Sequence, residues 1–310
     1  MAIALSLASQ IGAMFIMVAV GFLMIKKEIC TLKDCNLFSM IVLYICGPCA
    51  IIKSFQLELS QDKVNAFLLA VIASIGIHIL YIVVTEILSK VFHFCNIEKA
   101  SLIYSNAGNL IIPLVTLTMS EKMVFYCSAY MMVQIVLVWT HCLSLIKNEK
   151  SFVLKKILGN INILAILLGM SLFLLNITLP VPISSAMSSL GAMMGPLSMF
   201  VVGMLLSKVN WQDIFLNIRA YLIVLLRLII LPVIVLGVFL ALRLHNLLPQ
   251  AKEVLLIVLL AAAAPSASTV TQFAQLYHNK PFEASIINAL SILLCIFTMP
   301  MVILIYLHFA

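Results

Sequence analysis

Asn106 and Asn109 stand seven and four residues ahead of Pro113 in the stretch Ser101-Leu-Ile-Tyr-Ser105-Asn106-Ala-Gly108-Asn109-Leu-Ile-Ile-Pro113, within a segment that is otherwise apolar. Proline has no amide hydrogen and clashes with the preceding turn, so this spacing predicts a helix that breaks near residues 109 to 113. A helix restarting after such a break presents unpaired N–H groups and about half an elementary positive charge at its N-terminus. Amide side chains beside it supply further donors. Together these groups can bind a carboxylate without a buried cation. A later stretch repeats the design: Ala261-Ala-Ala-Ala-Pro265-Ser266-Ala-Ser268-Thr269-Val-Thr271-Gln272 has small residues before the proline and hydroxyls after it. Ser266, Ser268 and Thr269 can cap the second restarting helix or reach a ligand.

Other ionisable groups fall in apolar surroundings. Arg227 could meet a substrate carboxylate on an inner path, although an Arg at this depth more often snorkels or bonds carbonyls at a helix end. His78 has an unperturbed pKa suited to proton transfer, but a neutral His bonded to a neighbouring helix is the more ordinary role. Glu86 should reach the membrane interface. All three aspartates, Asp34, Asp62 and Asp213, are expected in loops, which leaves no carboxylate placed to carry a proton or sodium ion.

The elements that position these groups must be membrane helices. The 310 residues are 64% hydrophobic and 9% charged, with a mean hydropathy of +1.22; a soluble domain carries about 25% charged residues. Crossing a hydrocarbon core of about 30 Å takes about 20 apolar residues. Ten such spans can be marked, at 4–25, 37–55, 64–88, 101–120, 122–146, 157–177, 186–207, 218–243, 253–277 and 284–308. The expected fold class is an all-α integral membrane protein, a single membrane domain of two halves, 1–146 and 157–310, joined by a basic cytoplasmic loop at 147–156. Five spans per half would insert the second half inverted. The prolines agree: Pro48 and Pro196 are 148 positions apart, and Pro113 and Pro265 are 152 apart. With both termini outside the cytoplasm, the inner loops hold twelve Lys and Arg and the outer loops five, which favours that orientation in the cell membrane.

No basic residue precedes the first apolar run and no cleavage pattern follows it, so a removable signal peptide is not expected. The eight cysteines, including Cys46-x-x-Cys49, complete no ligand set and read as apolar packing residues. No His-Glu-x-x-His or Gly-x-Ser-x-Gly motif occurs, so neither an enzyme nor a metal or cofactor is expected. The net charge of +7 is scattered through short loops as an orientation signal, and nucleic acid is not an expected partner.

Ser105-Asn106-Ala-Gly-Asn109-x-x-x-Pro113-Leu resembles the fourth-helix crossover motif of the auxin efflux carrier family, which includes bacterial organic-acid carriers. Arg227-x-x-x-x-Pro232, the Pro265 crossover and Thr298-Met-Pro300 resemble the same family, over essentially the whole chain. The resemblance implies a scaffold of helices 1, 2, 6 and 7, a moving core of helices 3–5 and 8–10, and a homodimer through the scaffold. It implies a fold similar to that of the bile acid:sodium symporters. The plant members' long central cytoplasmic loop is absent, and their acidic support residue in the third helix has no evident counterpart. The expected function is export of a small organic anion, a malate- or malonate-like acid or an auxin-like monocarboxylate, by alternating access. The alternatives are a sodium-coupled symporter of the bile acid type and a transporter-like receptor.

Overall fold

A computed structural model describes residues 13, 16–119, 121–149, 158–207, 212 and 217–309. The expected central loop at 147–156 lies largely outside these residues, as does the start of the first span. The described chain is helical, its only β-type pairing being an isolated bridge. In chain order the helices are α1 Ile16–Lys26, α2 Leu32–Ile41, α3 Gly47–Ser54, α4 Gln61–Phe92, α5 Asn96–Ile103, α6 Ile112–Thr118, α7 Glu121–Leu137 and α8 Leu143–Lys147. They continue as α9 Ile161–Leu174, α10 Val181–Ala192, α11 Met194–Leu206, α12 Ile218–Leu225, α13 Leu231–Ala241, α14 Ala251–Ala263, α15 Ser268–Leu276 and α16 Pro281–Phe309.

Among the described residues, five continuous helical stretches are long and apolar enough to cross a membrane: Leu37–Ser54, Gln61–Phe92, Lys122–Lys147, Val181–Met204 and Ile218–Ala241. A sixth is α16, bent by 52° between Cys295 and Phe297. The bend falls where Pro300 can neither bond nor tolerate the carbonyl four residues back. The fourth and ninth expected spans are instead pairs of half-helices too short to cross alone. Three of these prolines, Pro48, Pro113 and Pro232, lie in the first turn of an α-helix, each directly after a five-residue π-turn, at Val42–Cys46, Ala107–Ile111 and Leu226–Ile230. In the continuous stretches Leu37–Ser54 and Ile218–Ala241 the wider turn just ahead lets the helix run on past a proline that would otherwise clash with the carbonyl one turn back.

Two compact units emerge, each drawn from alternating stretches of both halves. The first comprises residues 1–64, 108–128 and 158–209. In it α3 packs on α9 and α10, and small residues set the spacing. A side chain at Gly191 on α10 would press on the backbone of Ala50, and one at Gly203 on α11 would strike the α1 backbone at Val18. Such close approach between backbones is how helices associate where lipid removes the hydrophobic driving force.

The second unit comprises residues 65–107, 129–157 and 210–310. Along α4 a helically spaced stripe of Ala66, Ala70, Ala73, Ser74, Ile77, His78, Tyr81 and Thr85 is buried, while Ile72 and Ile79 are 66% and 56% exposed. Small and polar residues inside with branched aliphatics outside is the pattern of a helix facing lipid. The tenth, eighth and ninth expected spans contribute α16, α12 with α13, and the pair α14 and α15 to this unit.

Candidate functional site: the crossing of two broken helices

Both broken segments open into extended backbone for a few residues. After α5 the chain leaves the helix at Tyr104, with φ −97° and ψ 130°; after α14 it does so at Ala264, with φ −62° and ψ 157°. The two extended pieces pair antiparallel, Ser105 against Ser266. The Asn106 N–H donates to the Pro265 carbonyl at 2.8 Å, and the Ala267 N–H donates to the Tyr104 carbonyl at 3.0 Å. In an apolar surrounding each unpaired backbone group would cost several kcal/mol, so each break supplies the partners the other needs.

The first break therefore lies at Tyr104–Asn106, ahead of the expected 109–113. The proline spacing pointed to Pro113, but that residue lies in the first turn of α6, after the chain has already resumed a helical course at Ala107–Ile111. The second break is at Pro265, as expected.

Side chains lock each piece. Gln134, on α7, accepts from the Ser105 N–H at 3.0 Å and from its hydroxyl at 2.6 Å through Oε1, and donates through Nε2 to the Ser105 carbonyl at 2.8 Å. Tyr130 lies 3.2 Å from the same hydroxyl. On the other side, the Ser266 N–H donates to the Ser291 hydroxyl at 3.1 Å and its carbonyl accepts from Asn288 Nδ2 at 2.9 Å. The Ser266 hydroxyl itself is buried with no hydrogen-bond partner among the described residues. Gln134, Asn288 and Ser291 were not singled out from the sequence. Their signal was there, a lone amide or hydroxyl in an apolar run, such as Met131-Met-Val-Gln134-Ile-Val.

Arg227, in the π-turn ahead of α13, is fully buried. Its Nη1 donates to the Leu102 carbonyl at 2.9 Å and its Nε to the Ala264 carbonyl at 3.2 Å. These carbonyls belong to the C-terminal ends of α5 and α14. Two such ends carry together about one elementary negative charge, which a single guanidinium balances. The cation also stands over the Tyr81 ring, 5.3 Å from its centroid, and the Tyr81 hydroxyl lies 3.3 Å from the Ala262 carbonyl. Of the two roles open to Arg227 in the sequence, carbonyl bonding at a helix end is the one observed, at two ends at once.

His78 bonds its own helix: Nδ1 lies 2.7 Å from the Ser74 carbonyl one turn back, so this nitrogen carries the proton. Its ring packs on Tyr130 at 4.9 Å between centroids, and Nε2 is buried without a partner among the described residues. Glu86 reaches the edge of the unit and pairs with Lys99 at 2.8 Å.

At the start of α15, Asn106 Nδ2 donates to the Ser268 hydroxyl at 3.2 Å. Thr269 follows in the first turn, half-buried. Asn106, Pro265, Ser266, Ser268, Ser105 and Arg227 are thus brought together in the second unit. The side chains of Asn109 and Pro113 lie outside the described residues, and the backbone of both belongs to the first unit.

Ahead of the spanning part of the fourth segment, Arg219 Nη2 donates to the Glu98 carboxylate at 2.9 Å and to the His93 carbonyl at 2.9 Å, tying the end of α4 to the start of α5. Burial pushes the Glu98 carboxyl toward a higher pKa, but the bonds from Arg219 and from the Cys95 N–H outweigh it and hold the group below its ordinary value.

Residues 8–151 and, again, 148–303 match the model of the membrane transport protein family, the auxin efflux carrier family, and the chain belongs to that family. It is a multi-pass membrane protein of a transport family rather than an enzyme family. No curated protein matches the chain.

Proposed function

We propose that this protein is a secondary carrier that exports small organic anions, carboxylates of the malate or malonate kind or auxin-like monocarboxylates, by alternating access. On this reading ten spans form two inverted five-helix repeats with both termini outside the cytoplasm. The observation that carries the reading is the paired crossing of two broken helices, one from each half of the chain, with Arg227 on the C-terminal carbonyls and Asn106 and Ser268 at the restart of α15. The carboxylate binds Asn106 Nδ2, the Ser268 and Thr269 hydroxyls and the positive end of α15. Ser105, Pro265 and Ser266 shape the crossing, and Arg227 positions it. Export of an anion needs no coupling ion: 100 mV, negative inside, contributes about 2.3 kcal/mol per charge, roughly a 50-fold outward gradient.

Counterflow of a panel of labelled carboxylates in proteoliposomes, with and without sodium, identifies the substrate, and an Asn106→Ala variant tests the site. Loss of one hydrogen bond to a charged group costs about 1.5–3 kcal/mol, roughly 10- to 150-fold in affinity. Asn106→Asp should be worse, because its charge repels the anion. Wild-type affinity and flux in both folded variants would move the binding site elsewhere, and flux that required sodium would replace potential-driven export with symport.

A further inference from the structure

Away from the crossing residues, the first unit holds a pocket lined by Ala50 and Lys53 of α3, Thr116 of α6, Met119, Val124, and Met187, Ser188 and Gly191 of α10. Lys53 is its one ionisable lining residue. An ammonium has three donors, and among the described residues Lys53 spends one, on the Ser184 hydroxyl at 3.0 Å. No carboxylate among those residues pairs with it.

A lysine in the last turn of a helix ordinarily serves the carbonyls of that helix end. Lys53 does the opposite: its Nζ turns from the end of α3 to the first turn of α10, at the rim of the pocket. There Gly191 brings α10 against the Ala50 backbone and so closes one side of the cavity. A half-buried cation in an apolar chain is costly unless a counter-charge meets it, and the pocket offers hydroxyls but no anion.

We propose that this pocket is a second anion site, in which the Lys53 ammonium and the Ser188 hydroxyl hold the carboxylate of a small organic acid. It rests on the carrier reading only for the identity of the acid, since the test below measures no flux and does not involve Asn106.

The test uses a cysteine at the wall, Met187→Cys, in phosphatidylcholine vesicles, with unsubstituted protein as the background for native cysteines. Its rate of modification is compared for the anionic sulfonatoethyl and the cationic trimethylammonioethyl methanethiosulfonates. The field of Lys53 should favour the anionic reagent by about tenfold, Lys53→Gln should abolish that preference, and millimolar malonate should slow the reaction only while Lys53 is present. Equal rates for the two reagents, a preference that survives Lys53→Gln, or no reaction at all would overturn the proposal. Protection by phosphatidylglycerol in the vesicles but not by malonate would assign the cation to a lipid phosphate and would equally overturn it. Failure of the Asn106 variants to alter transport leaves each of these outcomes unchanged.

Discussion

Replacing Arg227 with methionine keeps most of the volume of the side chain and removes both hydrogen bonds to the helix ends. The Leu102 and Ala264 carbonyls would then be left in a buried, apolar crossing with no charged donor. A hydrogen bond to a charged group contributes about 1.5–3 kcal/mol, so the pair is worth roughly 3–6 kcal/mol. Removing one side of a buried charged arrangement, rather than all of it, is the case in which destabilisation is large. Against a usual stability of about 5–15 kcal/mol this threatens the fold. Thermal unfolding in detergent, followed by intrinsic fluorescence, should show a midpoint lowered by about 10 °C or more. An Arg227→Met protein melting within a degree or two of the wild type would refute the assignment of Arg227 to the helix ends and return it to direct contact with substrate.

Gln134→Leu should destabilise by about 2–4 kcal/mol, because the buried Ser105 N–H and carbonyl lose their partner while the helix keeps its apolar surface; denaturant or thermal melts measure it. The Glu98–Arg219 pair gives a pH signature. Since the folded carboxyl has a lowered pKa, its contribution is complete above the ordinary Glu value of about 4.3 and fades as pH falls through the lower folded value. Melting curves of wild type and Glu98→Gln should differ near pH 7 and converge below about pH 4, and an unchanged gap at acid pH would contradict the pairing; with Arg219 half exposed the difference is about 1 kcal/mol or less. A reporter fused after Ala310 should be active only outside the cytoplasm, and cytoplasmic activity would overturn both the orientation and an odd number of spans per half.

The Pro265 break, the polar residues around it and the place of Asn106 were legible because each is a local departure from an apolar helix. The position of the first break was not. Its cause is pairing with Ser266, some 160 residues on, and the grip of Gln134, whereas the conspicuous residue, Pro113, falls after the helical course has resumed. Arg227 shows the same limit. Its depth in a span was readable, but the choice between substrate and backbone depends on two carbonyls contributed by segments more than 30 residues away on either side. Span counting was hardest where helices are broken or bent, since a stretch such as Ser101 to Met119 is apolar enough to cross yet folds as two short halves with an extended piece between them.

The crossing also explains how an anion could be held without a lysine or arginine contacting it. The C-terminal ends of α5 and α14 carry partial negative charge and would repel a carboxylate at the same crossing where the N-terminal end of α15 attracts it. Arg227 cancels the repulsive ends through its bonds to Leu102 and Ala264, which leaves the attraction of the restarting helix and of the Asn106 amide as the net field. On the proposed reading the cation sets affinity by what it neutralises rather than by what it touches. Charge and hydrogen-bond geometry then separate in Arg227→Lys, because an ammonium retains the charge but reaches one carbonyl rather than two. Stability should fall further than anion affinity in that variant, whereas a direct substrate contact through the planar guanidinium would reverse the order.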